Sequence, residues 1–256
     1  RCAGARGHVR RSAGSAPAAR AKRAAMLQYW AVPASFALCS SLFLAFFHLG
    51  GGYVEQSCSR VSLCHHFLAM CLGLWAHWRY SEQMVADEAV FAPNTRFADA
   101  MLLQHFNLGY FFYDLVHVAV WDQKFLVHHL VALAGYGSSE YSNVFALANA
   151  VNTWITECGS FMYSAYLVFR SEGLYVAFVV LYTASRAYFA AWSLRVLALA
   201  WEGLQGRSRY AFSAWAPYCA ATLQVLLLVI NMSFVVTHWK KLLGRCARGK
   251  SKKQAD

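Results

Sequence analysis

Two pairs of adjacent histidines stand inside apolar stretches of this 256-residue chain. His128-His129 lies in WDQKFLVHHLVALAGY, with only Asp122 and Lys124 as charges before it, and His65-His66 closes CSRVSLCHH. Imidazole is costly to place in hydrocarbon without a partner, and it is the side chain best suited to proton transfer near neutral pH. Such a pair in apolar surroundings therefore suits proton transfer more than packing.

Helical spacing groups further residues with them. Ser62, His65 and His66 fall at i, i+3 and i+4 and share a face. Asp114 and His117 are three apart, so a carboxylate stands beside an imidazole whose tautomer it can fix. His128 and His129 are about 100° apart around a helix, so both can border one interior while one points to its centre. Glu157, Arg186 and Asn231 lie deep in later apolar segments. Arg186 needs a partner there, and Glu157 or Asp114 can supply it. Isolated polar groups such as Asn107 and Gln224 read as side chains that hydrogen-bond helices together, at roughly 1 kcal/mol per contact. The four paired histidines exceed what that packing needs. No metal site is expected: the eight cysteines are scattered without a CxxC, and the HxxxH and HxxHH clusters of di-iron membrane enzymes are missing.

These residues need elements to hold them. Hydrophobic residues make up 59% of the chain and charged ones only 14%, against roughly 25% charged in soluble domains. The net charge of +11 is concentrated in residues 1–25 and in the tail from Lys240. Basic ends around apolar spans fit a protein that meets anionic headgroups, not one that tracks nucleic acid. Seven apolar segments follow: Leu27–Leu49, Val61–Trp78, Ala98–Trp121, Phe125–Ser138, Asn143–Phe169, Leu174–Leu199 and Ala214–Trp239. GYGSSEYSN reads as a loop between the fourth and fifth, and HWRYSEQMVADEAVFAPNTRF as the longest polar connection. The fourth segment is short for a membrane span, which leaves six or seven crossings.

Several stretches resemble the TLC-domain family, the relatives of ceramide synthases and translocating-chain-associating proteins. They are CSRVSLCHH (58–66), LGYFFYDLVHV (108–118), DQKFLVHHLVAL (122–133) and ITECGSFMYSAYLVFR (155–170), with LYTASRAYF and NMSFVVTHWKK behind them. Their order and spacing cover about 55–243. The resemblance implies a helical bundle around a lipid-accessible cavity, often in the endoplasmic reticulum. In the ceramide synthase branch the paired histidines are associated with N-acylation of a sphingoid base by acyl-CoA, a role that falls here on His128 and His129. That branch carries a His-Asp-x-x-Ser-Asp element ahead of the Glu. Aligned on Glu157, this chain reads NAVNTWITE, and both aspartates are missing. The chain is therefore more similar to the smaller TLC-domain-containing proteins of lipid homeostasis.

The expectation is an all-α membrane protein, with six to seven transmembrane helices forming a TLC-type bundle around a polar interior cavity. Residues 1–25 form a basic extension, either untranslated, with Met26 as the start, or an Arg-rich leader that is cleaved. Residues 26–243 form the multi-pass domain and 244–256 a basic cytosolic tail. The expected catalytic residues are His128, His129 and Asp114. The expected substrate-binding residues are Ser62, His65, His117, Glu157, Arg186 and Asn231, with no metal and no bound cofactor. The expected function is lipid binding or remodelling in an internal membrane. One alternative is acyl transfer with acyl-CoA as co-substrate, and another a non-catalytic lipid sensor or cargo adaptor. Membrane lipids are the expected partners, with a homodimer as the candidate assembly and no nucleic acid.

Overall fold

The computed structural model describes residues 15–121, 123–213 and 215–253. Among them the structure is all-helical. The long helices are α1 (Ser15–Leu49), α2 (Val54–Arg79), α4 (Ala98–Trp121), α5 (Leu126–Ser142), α6 (Ala146–Phe169), α7 (Glu172–Leu204) and α8 (Trp215–Lys253), with the short α3 (Glu88–Phe91) between α2 and α4. Three helices are apolar and long enough to cross a membrane by composition alone, at Tyr29–Leu49, Glu172–Leu204 and Ala221–Arg248. The helices α2, α4, α5 and α6 carry most of the buried polar side chains, which lowers their hydropathy. Asp122 lies outside the described residues.

Each long helix runs against the direction of the next. The clearest register is between α4 and α5, where a polar seam pairs residues whose numbers sum to a near-constant value. Asp114 meets His129 at 2.7 Å, Asn107 donates to the Tyr136 hydroxyl at 2.9 Å, and His105 meets Glu140 at 2.7 Å. The same antiparallel register holds Tyr163 against Phe178 and Tyr166 against Tyr175 between α6 and α7. The α2 and α6 pair is the most extensively packed. Gly73 makes this approach possible: a Cβ there would lie 2.7 Å from the Trp154 Cβ and 3.2 Å from the Ala150 carbonyl oxygen.

One expectation from the sequence is corrected. The stretch GYGSSEYSN is not a loop. The α5 helix continues through Ser142, and the turn is confined to residues 143–145, where Asn143 and Phe145 take positive φ. Its polar residues have internal partners that make helix the better state. Glu140 accepts from Gln104 and faces His105, while Ser139 is buried and donates to the Val144 carbonyl. The apolar segment read at Leu27–Leu49 forms the membrane-length part of α1, whose span is Tyr29–Leu49, while the helix extends back to Ser15.

The long polar connection after α2 is itself folded. It folds into α3 and short 3-10 turns that close one end of the bundle. Met84, Val90, Phe91 and Phe97 are buried there, and Phe91 stacks on Phe212 of the α7–α8 connection at 4.0 Å. Asn94 ties three segments together, donating to the Ser139 carbonyl and accepting from the Ala146 amide. Asp87 accepts from Ser208 and from the Arg209 amide, and Glu88 accepts from Tyr210. This closed end is the cap end. The other, where α8 finishes, is the tail end.

Exposed aromatic side chains gather at both. Trp30, Trp78, Tyr141, Trp201 and Trp215 stand near the cap end, and Tyr53 and Phe169 near the tail end.

Candidate functional site

The polar residues of α2, α4, α5, α6 and α7 converge because each helix turns its apolar stripe outward and its few polar positions inward. In lipid, a buried polar group without a partner costs more than in water, so the partners must be other helices. The result is a pocket of about 480 Å³ in the tail-end half. Its wall includes Ser62, His66, Tyr110, Asp114, His117, His128, His129, Glu157, Ser160, Tyr182 and Arg186. A smaller chamber of about 80 Å³ adjoins it and shares Phe111, His128, Glu157, Ser160 and Arg186. Asn231, Asn152, Thr153 and Tyr136 bound that chamber.

The two α5 histidines have different surroundings. Both ring nitrogens of His129 are engaged, Nδ1 with the Phe125 carbonyl at 2.9 Å and Nε2 with Asp114 Oδ2 at 2.7 Å. A carbonyl only accepts, so Nδ1 carries a hydrogen, and the tautomer and ring orientation are fixed. His128 stands edge-on to His129, with ring centroids 5.7 Å apart. Its Nδ1 is buried with no hydrogen-bond partner, and its ring borders both chambers. His129 is held and His128 is presented.

Asp114 pairs across to His129 on α5 rather than with His117, and it also accepts from Tyr110 of its own helix. Its Oδ2 takes His129, and the Tyr110 hydroxyl lies 3.2 Å away and 3.0 Å from Ser62 Oγ. His117, expected beside Asp114, instead packs its ring near Phe43 and Tyr113 at centroid distances of 4.9 and 4.7 Å, on the same pocket wall.

Arg186 also departs from expectation. No carboxylate lies within ion-pair distance of it among the described residues. Its guanidinium donates to the Thr156 carbonyl at 2.7 Å and to Ser185, and sits 4.0 Å from the Tyr182 ring centroid. Backbone carbonyl and aromatic face thus replace the carboxylate, which is free to meet a histidine. Gly159 allows this close meeting of α6 and α7, since a Cβ there would lie 2.9 Å from Tyr182 Cδ2. Glu157 is in contact with His66 Nδ1.

His65 and His66 exchange the parts the sequence reading gave them. His66 is on the pocket wall. His65 borders neither chamber and lies flat against Tyr110, with centroids 3.6 Å apart and the rings 6° from parallel, and it also stacks near Phe106. The signal was available: from Ser62, which is on the wall, His66 is the i+4 neighbour. Tyr110 and Ser160 were missed because a tyrosine or serine in an apolar segment has no spacing that distinguishes it from packing. Asn231 is placed at the smaller chamber, with both amide atoms buried and without partners. Of the residues expected at the site, Ser62, Asp114, His117, His128, His129, Glu157 and Arg186 share the main wall.

A family model of the TLC domain matches residues 57–240. Comparison with the curated proteins and with the solved structures gives no match.

Proposed function

The chain belongs to the TLC-domain family of membrane proteins, and from that footing we propose that it crosses an internal membrane seven times and takes a lipid into the pocket between α2, α4, α5, α6 and α7. The exposed aromatics at the two ends suit the two membrane interfaces, where amphipathic rings are enriched. The basic tail sets the tail end on the cytosolic side by the positive-inside rule. The pocket then faces the cytosolic half of the bilayer, and the endoplasmic reticulum is the expected membrane.

The observation that carries the reading is the division between the two histidines beside a pocket of about 480 Å³. Apolar wall residues such as Val118, Phe125, Leu167 and Phe234 suit an acyl chain. The histidine pair and Arg186 suit its polar head. A purely packing role would leave no reason for His128 to present a ring edge to both chambers.

Acyl transfer is the second reading, and the same division favours it. His128 has the free edge needed to take a proton from an acceptor amine or hydroxyl, or to attack a thioester. His129 lines the same wall, but Asp114 and the Phe125 carbonyl take both its ring nitrogens. Acyl-CoA would be the co-substrate, and a homodimer remains the candidate assembly.

The test uses the purified full chain in lipid nanodiscs. Photo-crosslinking with a diazirine fatty acyl probe is expected to label pocket residues, and His128→Ala is expected to reduce that labelling. Transfer from labelled acyl-CoA to sphingoid or lysophospholipid acceptors, lost in His128→Ala, supports the enzyme. Lipid capture without transfer supports a carrier or sensor. Absence of labelling in the pocket overturns both.

A further inference from the structure

His65 is the least explained group in the bundle. It is 2% exposed, and neither ring nitrogen has a hydrogen-bond partner. Leaving such donors and acceptors unmet is unfavourable. Its stack on Tyr110 and Phe106 holds the ring plane but satisfies no nitrogen. Both nitrogens are therefore open to a further partner.

The neighbouring groups indicate what that partner is. One ring nitrogen each from His65 and His66 and one carboxylate oxygen of Glu157 lie within 4.8 Å of one another. We propose that His65, His66 and Glu157 form a binding site for a divalent transition-metal ion of the zinc type. Two imidazoles and one carboxylate are a donor set that zinc accepts, with bonds of about 2.0–2.2 Å and a fourth position left open. Tetrahedral bonds of that length bring donor atoms to about 3.3–3.5 Å of one another, so any wider gap within the cluster closes on binding while the direct His66–Glu157 contact opens.

The scaffold favours this closure. The donors come from α2 and α6, the most extensively packed helix pair. His65 reaches the site from the side packed on α4, His66 from the pocket side, and Glu157 from across the interface. The contact between His66 Nδ1 and Glu157 aligns the second and third donors. His66, Glu157 and Ser62 line the pocket, so the open position faces the space where a lipid head would lie. Asp114 adds negative charge on the same wall. The positive charge of Arg186 is there too, but the Thr156 carbonyl and the Tyr182 face engage it.

The scattered cysteines had pointed away from any metal. This site uses none, and adjacent histidines on one helix are not a spacing that sequence motifs for zinc contain. The proposal stands on the geometry of these three side chains and does not depend on what the pocket binds.

The experiment measures metal on the full chain in detergent, stripped with a chelator and dialysed. Zinc titration against a chromophoric chelator is expected to give one equivalent per chain and a raised Tm. Cobalt is expected to give the visible bands of a tetrahedral site. His66→Gln, Glu157→Gln and His65→Phe should each weaken zinc binding at least about tenfold and remove the Tm increase. His65→Phe keeps the aromatic stack, so it reads the missing ligand even if another variant fails to fold. His105→Gln, which removes a buried histidine elsewhere, should bind zinc as the wild type does. Substoichiometric zinc, or stoichiometric zinc retained by His65→Phe, overturns the site. A protein that captures lipid in nanodiscs but takes up no zinc overturns this proposal and leaves the lipid reading standing.

Discussion

His128 and His129 are neighbours in sequence, and their surroundings give them separable roles. His129 spends both nitrogens on Phe125 and Asp114, so its replacement removes structure as well as chemistry. His129→Ala is expected to cost about 1–3 kcal/mol by taking from the half-buried Asp114 its partner on α5, read as a lower Tm in detergent. His128→Ala, which breaks no hydrogen bond to the protein, should leave Tm within a few degrees while lipid labelling falls. A matching Tm loss in both variants would remove the distinction between them. Arg186 makes a similar case for geometry over charge matching. Arg186→Lys keeps the charge but loses the planar fork that reaches the Thr156 carbonyl and lies on Tyr182. It is therefore expected to destabilise by about 1–2 kcal/mol, whereas a lysine that melted like the wild type would show that charge alone suffices.

At the scale of helices, close approach and exposed surface predict opposite effects of one added methyl group. Gly73→Ala drives a Cβ into Trp154 and is expected to cost about 1–3 kcal/mol. Gly137→Ala, in α5 with nothing within 4 Å of the new Cβ, is expected to be neutral or to stabilise by about 0.5–1 kcal/mol. Thermal melts of the two variants side by side check the α2–α6 register. The helices themselves were legible in the sequence. Ala98–Trp121 was read with both boundaries as the structure has them, because apolar residues fill that stretch between clear polar flanks. The failures have one cause. Gly, Ser and Asn in GYGSSEYSN signal a turn to any local rule, and only the partners Asn94, Gln104 and His105 from other segments make helix the better state. The site was legible as a set of residue types. Their pairing was not, since Asp114 with His129 and Glu157 with His66 are contacts between helices that spacing within one helix does not encode.

The whole molecule is asymmetric from end to end. The cap end is closed by α3, its flanking turns and the α7–α8 connection, while the pocket walls belong to the tail-end half. The acids of the cap, Asp87 and Glu88, take Ser208, Arg209 and Tyr210, and the basic residues Lys240, Lys241, Arg245 and Arg248 lie toward the other end of the chain's last helix. This arrangement makes a testable topology. In sealed microsomes, with the other cysteines replaced, a membrane-impermeant maleimide is expected to label Cys246, which is exposed. A Glu82→Cys variant at the cap end should react only after permeabilisation. The reverse pattern would invert the orientation, and labelling of both in sealed vesicles would remove one crossing.

The seam between α4 and α5 has a consequence for how the protein is made. At 17 residues and about 1.5 Å rise each, α5 spans roughly 25 Å, short of a bilayer core of about 30 Å. It also carries two histidines and Glu140. Such a segment does not partition from the translocation channel into lipid by its own hydrophobicity. Its histidine and its carboxylate are matched mainly on the preceding helix, by Asp114, Gln104 and His105, so under the proposed topology the two helices are expected to leave the channel as a hairpin. Ribosome pausing and early chaperone contact would then act on the pair, during synthesis, well before the rest of the bundle exists.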